Sequence, residues 1–179
     1  MTTYLIPEAD VDSGEFWKSA INGIESVPES RLTLTLLGYP EIDVEEAKKL
    51  AKIGDCLLFK YDDHLVPFQV IHKYDDGRVV LQTYYLMEKH MFDENTNVYK
   101  DSEIRRFLNE DVVKKMDPEF VNIIKPKQVH TDNYVTEDKL WLLSHEEIGY
   151  HDSNHMFKEN VGAEVFDYYK DSESERATA

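Results

Sequence analysis

The chain has 179 residues, of which 41% are hydrophobic, and its 36 acidic and 20 basic side chains give a formal net charge of −16. This apolar content is sufficient for a packed core and excludes a wholly disordered chain. The charge argues against direct binding to nucleic acids or anionic membranes, because binding to phosphate depends on Lys and Arg.

Cysteine content and hydropathy favour a soluble protein. The single cysteine, Cys56, excludes an internal disulfide framework. The residues after Met1 lack the basic and apolar regions of a signal peptide, and no apolar run has the length of a transmembrane helix. We therefore expect a soluble protein of a reducing compartment.

The first third of the chain combines helical and strand patterns. Apolar residues at helical spacing predict a short helix over residues 15–24, and alternating Leu and Thr predict a half-buried strand over residues 31–37. Asp43 is a favourable N-cap for the next helix, and Gly54 is expected to stop it.

A β-meander is predicted next. Its strands are expected over residues 56–61, 65–73 and 78–87, with a turn at residues 75–77, where Gly77 supplies the positive φ that such turns need. Their content of Val, Thr and Tyr is typical of strands.

Helical patterns return after the meander. Ser102 is predicted to cap a helix that Asn109 ends, and Asp117 with Pro118 is expected to open another helix. Residues 129–138 are interpreted as a polar connection. Residues 163–170 predict one more short helix.

The stretch from residue 136 to residue 150 predicts a strand that leads into a capped helix. Residues 139–143 contain an apolar run of strand length. Ser144 and Glu147 match the capping box, in which the hydroxyl and the carboxylate each accept a hydrogen bond from the other residue's backbone N–H.

Together these elements predict an α+β fold: a small antiparallel β-sheet, made of the meander and the later strand, packed with several short helices. Residues 1–53 are expected to form an N-terminal extension of helix and strand, and residues 54–170 the main domain. Residues 171–179 are expected to be a frayed acidic tail.

Candidate catalytic and metal sites are weak. His145, His151 and His155 have a spacing that allows metal binding, but no second ligand pair completes a site. Paired carboxylates lie mainly at predicted turns and helix starts, where capping explains them. The sequence contains neither a nucleophile elbow nor a glycine-rich phosphate loop. We therefore expect no enzymatic activity and no cofactor, and a metal-dependent hydrolase is the weakest alternative.

The charge is unevenly distributed. Residues 1–30 contain six acidic and one basic side chains, and residues 131–179 contain twelve acidic and four basic side chains. The middle region contains a basic cluster that offers a surface either to an acidic partner or to the chain's own acidic termini, and we expect the termini. The cluster consists of Arg105, Arg106, Lys114, Lys115, Lys125 and Lys127.

Two stretches resemble motifs of an uncharacterised domain family of bacterial surface proteins and phages. The family shows S-x-I-R-x-W-L-N and then D-K-x-F-L-L-S-x-E-E. These correspond here to residues 102–109, with Phe107 in place of the Trp, and to residues 138–147. The resemblance covers roughly residues 54–175 and implies a C-type-lectin-like or related α+β fold without established catalysis. The C-terminal half of the family domain has no counterpart in this chain, so we expect any ligand site in that half to be absent.

These features favour a non-enzymatic, acidic interaction protein, encoded by a phage and acting in the cytoplasm of the bacterial host. We expect it to inhibit a nucleic-acid-binding host protein by occupying its basic groove, as DNA-mimic and anti-CRISPR inhibitors do. The residues expected to contact this partner are Asp10, Asp12, Glu15, Glu159, Glu164 and Asp167.

A lectin-like adhesion module of a virion or cell surface is the main alternative. Its binding groove would be lined by exposed aromatic side chains, for which the candidates are Tyr84, Tyr85, Trp141 and Tyr150.

Overall fold

The α+β prediction is confirmed. The chain forms two compact units, residues 1–87 and residues 88–179, with a five-stranded antiparallel sheet, a two-stranded sheet and several short helices. The domain boundary predicted between residues 53 and 54 falls inside the first unit. The computed structural model describes residues 1–12, 38–84, 88–131, 133–150 and 163–170.

The first unit is built on the five-stranded sheet, in which the strands lie in the order β2-β1-β3-β4-β5. Its described elements are β1 (Thr2–Ile6), α1 (Glu8–Asp12), β2 (Glu41–Asp43), α2 (Val44–Leu50), β3 (Cys56–Tyr61), β4 (His64–Lys73) and β5 (Val79–Thr83). The three predicted meander strands are therefore present, although β5 is shorter than expected. The predicted helix at residues 15–24 and the predicted strand at residues 31–37 lie outside the described residues.

The centre of this sheet is buried. Cys56, Leu57, Leu58 and Phe59 are all buried, so side chains on both faces of β3 are covered. The thiol of Cys56 is fully buried, as expected for a small apolar side chain in the middle of a sheet.

Helix α2 begins as predicted. The carboxylate of Asp43 accepts a hydrogen bond from the backbone N–H of Glu45 at 2.9 Å, which satisfies one of the free donors of the first turn. Val44 and Ala47 form the buried side of the helix. It ends at Leu50, before the predicted stop at Gly54.

The second unit consists of short helices and a hairpin. Among the described residues these are a 3₁₀ turn (Tyr99–Asp101), α3 (Glu103–Arg106), a π-helical segment (Phe107–Val112), α4 (Val113–Lys115), α5 (Pro118–Ile123), β6 (Lys127–Thr131), β7 (Tyr134–Asp138) and α6 (Asp167–Lys170). The predicted helix at residues 163–170 is thus limited to its last turn.

The predicted start of α3 is confirmed, because Ser102 Oγ accepts a hydrogen bond from the backbone N–H of Arg105 at 3.3 Å. The predicted break at Asn109 is wrong, since the helical backbone continues through this residue as the π-helical segment. Such segments accommodate an extra residue in a helix and are frequent at functional or strained positions.

The interpretation of residues 129–138 as a polar connection is wrong. These residues belong to a hairpin in which β6 and β7 pair in antiparallel register, with Val129 opposite Thr136 and Lys127 opposite Asp138. Val129, Thr136 and Asp138 are buried. The alternation of buried and exposed positions could not be recognised in the sequence, because two of these three buried residues are polar.

The strand predicted over residues 139–143 is absent. The backbone N–H groups of Lys139 and Leu140 both donate to the side-chain oxygen of Asn109, at 3.0 and 3.2 Å. The Leu140 carbonyl accepts from the amide nitrogen of the same side chain at 2.8 Å. A distant side chain therefore provides the hydrogen bonds that a neighbouring strand was expected to make.

The capping box forms, but no helix follows it. Glu147 N–H donates to Ser144 Oγ at 3.3 Å, and Ser144 N–H donates to Glu147 Oε2 at 2.9 Å. The next residues make a turn that ends at Gly149, whose φ is +74°. This left-handed conformation, which glycine adopts at low cost, stops the chain from continuing as a helix.

Candidate functional site

The two stretches that resemble family motifs bind each other in the second unit. Arg105 Nε lies 2.9 Å from Oδ1 and 3.1 Å from Oδ2 of Asp138, and Arg105 Nη2 lies 2.9 Å from Oδ1. The Asp138 side chain is only 1% exposed, and Thr136 Oγ1 donates a further hydrogen bond to it at 2.6 Å. The buried carboxylate is thus compensated by a cation and a hydroxyl.

Asn109 adds a second link between these stretches. Besides its contacts with Lys139 and Leu140, its amide nitrogen donates to the Arg105 carbonyl at 3.2 Å. We call the set Arg105, Asn109, Asp138 and Leu140 the motif clasp. The polar groups of these residues bond to one another, so the motif clasp is a structural feature that holds α3 against the end of β7.

A second ion pair with a buried carboxylate lies at the same end of the hairpin, where Lys127 is opposite Asp138. Lys127 Nζ pairs with Oε1 of Glu147, a side chain that is 1% exposed. The second oxygen, Oε2, accepts from the backbone N–H and the hydroxyl of Ser144, at 2.9 and 3.1 Å. The capping box therefore also fixes the carboxylate that Lys127 contacts.

Two aromatic rings complete the surroundings of this ammonium group. Lys127 Nζ lies 4.8 Å from the ring centre of Trp141 and 5.0 Å from that of Phe166, within the range of cation–π attraction. Burial lowers the pKa of Lys127 to about 8, because it removes part of the hydration of the ammonium group. We call Trp141, Glu147 and Phe166 the ammonium cage.

The backbone holds the cage together. Phe166 N–H donates to the Glu147 carbonyl at 2.9 Å, which joins the segment before α6 to the turn that follows Ser144. Phe166 is 2% exposed, and the Ser144 side chain is also buried. The residues of the cage are therefore held in place by the packing and the backbone hydrogen bonds of the second unit.

The basic cluster contacts acids of the middle region as well as acids of the C-terminal region. Besides Arg105 and Lys127, Lys114 lies 3.5 Å from Asp111, and Lys115 pairs with Glu88. Arg106 and Lys125 are exposed.

The acids predicted to contact a partner fall in both units. Asp10, in the first unit, is half-buried and accepts a hydrogen bond from the Tyr39 hydroxyl at 2.6 Å. In the second unit, Lys170 lies 3.6 Å from Glu164 and 2.8 Å from Asp167, and the hydrogen bond to Asp167 is the main reason why its pKa is raised. Asp12 ends α1, and Glu15 and Glu159 lie outside the described residues.

Sequence reasoning missed an acidic edge in the first unit. Glu41, Asp43, Glu45 and Glu46 are all exposed on β2 and the first turn of α2. Strand β2 is an outer strand of the sheet, and it pairs with β1 near the N-terminus. The signal was present in the closely spaced acids of this stretch, which had been attributed to capping alone.

Of the three metal candidates, the structure describes His145. His145 lies in the turn after Ser144, whereas His151 and His155 lie outside the described residues. Within the part of the chain that the structure describes, no group of three His, Cys, Asp or Glu side chains is arranged to hold a metal ion.

The aromatic candidates for a glycan groove differ in exposure. Tyr84 packs on the core of the first unit and Trp141 on that of the second, whereas Tyr150 is 55% exposed. Tyr85 lies outside the described residues. No helix in the described ranges is long and apolar enough to cross a membrane.

Residues 76–179 match the model of a family described as "Domain of unknown function (DUF6273)". The chain belongs to this family. The DUF6273 match includes the motif clasp and the ammonium cage but begins after β4, later than the start of the resemblance near residue 54. The family description names no activity, and neither a curated protein nor a solved structure matches the chain.

Proposed function

We propose that this DUF6273 protein is a non-enzymatic binding protein that docks, through acidic surfaces, on a basic surface of another protein. The net charge of −16 carries the proposal. A charge of this size steers encounters with basic partners and repels polyanions.

The pairing of the basic side chains supports this proposal. In the second unit Arg105, Lys114, Lys115, Lys127 and Lys170 all contact carboxylates of the same unit. Such contacts weaken any local positive field that would attract nucleic acid. The outward field is therefore dominated by the exposed acids.

The acidic edge supplies a second argument. Glu41, Glu45 and Glu46 are exposed, and Lys48 contacts Glu45 at 2.9 Å. Charged residues on an outer strand also discourage strand pairing with another chain. The acidic N-terminal region contains Asp10, Asp12 and Glu15, and we group it with this edge as the first proposed docking region. Glu159, Glu164 and Asp167 form the second proposed docking region.

The partner best suited to such surfaces is a nucleic-acid-binding protein with a basic groove. Carboxylates spaced along a protein surface compete there with phosphates for the same Lys and Arg side chains. The protein would then act as an inhibitor of the DNA-mimic or anti-CRISPR kind.

The proposal is tested by affinity capture from a bacterial lysate that has been treated with nuclease. The expected result is recovery of basic, nucleic-acid-binding proteins that added duplex DNA displaces from the tagged chain. Recovery of no such protein would contradict the proposal.

Matched variants then locate the surface. Glu41→Gln with Glu46→Gln, and separately Glu159→Gln with Glu164→Gln, are each expected to weaken capture and reduce its salt dependence. The control is Glu110→Gln with Glu119→Gln, which removes the same charge from exposed positions elsewhere. An equal loss in the control would show that total charge, and not these surfaces, determines binding.

A lectin-like adhesion module is the second candidate. It is favoured by the exposed ring of Tyr150 and by Leu142, which is 45% exposed, and by the family resemblance. Specific binding on a glycan array, lost in Tyr150→Ala, would select it over the first proposal.

A further inference from the structure

We propose that Trp141, Phe166 and Glu147 form a binding site for a primary alkylammonium group, which Lys127 fills in the free chain. The site has a fixed buried carboxylate and two ring faces, and the Lys127 ammonium group contacts all three. Its ligand class is the side chain of lysine or a small amine of the same shape.

The carboxylate is arranged to receive a cation. Oε2 of Glu147 is held by Ser144, whereas Oε1 faces Lys127 Nζ. A carboxylate that is 1% exposed is costly to bury unless a cation compensates it. The Glu147 carboxylate therefore presents a negative charge at one specific ligand position.

The rings add selectivity for an organic cation. Trp141 and Phe166 both have their ring centres within about 5 Å of Lys127 Nζ, and a desolvated ammonium group gains from each ring. The indole N–H of Trp141 has no hydrogen-bond acceptor among the described residues. Trp141 is thus expected to bind the cation through the face of its ring and not through its indole N–H.

The ligand position can be emptied without replacing any residue of the cage. Lys127→Ala removes the atoms from Cγ to Nζ, and n-propylammonium has the same three carbons and the same ammonium group. We expect the thermal midpoint of this variant to fall relative to the wild type. We also expect added n-propylammonium chloride to raise it again in a saturable manner, since a ligand that binds only the folded state stabilises it.

Four controls separate the cage from general effects of salt and amines. Sodium chloride and the neutral isostere n-propanol are expected to give no saturable rise. Lys127→Ala combined with Glu147→Gln is expected to lose the preference for the ammonium over the alcohol. Lys100→Ala is expected to show no rescue, because Lys100 Nζ lies 5.0 Å from one exposed ring, that of Tyr134. A folded Lys127→Ala variant that n-propylammonium does not stabilise would overturn the proposal.

A measurement on the wild-type chain decides the matter if the variant does not fold. Incorporation of ¹³C-labelled lysine makes the lysine Hε signals visible by NMR and leaves the amines unmodified. The Lys127 Hε signals, assigned by their loss in Lys127→Arg, are expected to be shifted upfield by the two rings, and those of Lys170 are not. Unshifted Lys127 signals would show that the amine does not occupy the cage. Neither experiment needs a protein partner, so its failure would be separate from failure of the docking proposal.

Discussion

Arg105 and Asp138 are thirty-three positions apart in sequence, yet Nε and Nη2 of the arginine both lie 2.9 Å from Oδ1 of the aspartate. The arginine is on the first helix of the second unit, and the aspartate ends β7. The aspartate is buried and the arginine is partly exposed, so the arginine lies on the solvent side of the pair. Each residue also belongs to one of the two stretches that resemble family motifs.

Replacing Arg105 is therefore expected to destabilise the protein strongly. Arg105→Ala leaves the Asp138 carboxylate buried, with the Thr136 hydroxyl as its remaining donor among the described residues. The expected loss in the free energy of unfolding is about 2–3 kcal/mol, which is the range for hydrogen bonds to a buried charge when one partner is partly solvated. Urea denaturation followed by circular dichroism measures it.

The neighbouring arginine is the control. Arg106 is exposed, so Arg106→Ala is expected to change the free energy of unfolding by no more than about 0.5 kcal/mol. Equal losses in the two variants would show that the loss comes from helix propensity or net charge and not from the pair.

Asn109 gives a second prediction. Asn109→Ala leaves the N–H groups of Lys139 and Leu140 without their acceptor, and each such half-buried group costs about 1 kcal/mol or more. We expect a loss of about 2 kcal/mol in the free energy of unfolding. Asn97→Ala, at an exposed position, is expected to be nearly neutral. A neutral Asn109→Ala would mean that water replaces the amide.

These contacts explain which parts of the fold were predictable. Local patterns were sufficient for β3 and for the caps formed by Asp43 and Ser102, because the apolar run and the cap lie in the same few residues. The segment at residues 139–143 was wrongly predicted as a strand, since its backbone hydrogen bonds come from Asn109, about thirty positions earlier.

The ammonium cage could not be predicted from the sequence for the same reason. Glu147 was correctly read as part of a capping box, but its second oxygen serves Lys127, twenty positions earlier in the chain. Phe166 comes from a third segment. No local spacing rule relates these residues, so only the tertiary structure brings the carboxylate, the amine and the rings together.

Cys56 provides a test of the first unit. Its thiol is fully buried in the central strand of the sheet, so it is expected to react with a thiol reagent only when this unit opens. The labelling rate should therefore rise with urea in parallel with the loss of β-sheet signal. Rapid labelling of the native protein would show that the strand is accessible and would contradict the burial of β3.

Alkaline pH is expected to destabilise the first unit through Tyr39. Burial, and then the hydrogen bond to Asp10 and its charge, raise the pKa of Tyr39 from 10.0 to about 12. As pH rises past about 10, the unfolded chain releases this proton before the folded chain does, which favours unfolding. The stabilisation is thus fully present below pH 10 and is lost as pH approaches about 12.

The variant Tyr39→Phe isolates this effect because it has no proton to release at this position. The wild type is expected to lose stability between about pH 10 and pH 12 more steeply than Tyr39→Phe, as measured by urea denaturation at each pH. A residual slope is expected in the variant, since burial and the charge of Asp138 also raise the pKa of Tyr99. Asp10→Asn keeps the phenol but removes the carboxylate, so its slope is expected to lie between the two. Identical slopes in wild type and Tyr39→Phe would show that the hydroxyl of Tyr39 is solvated and not held by Asp10.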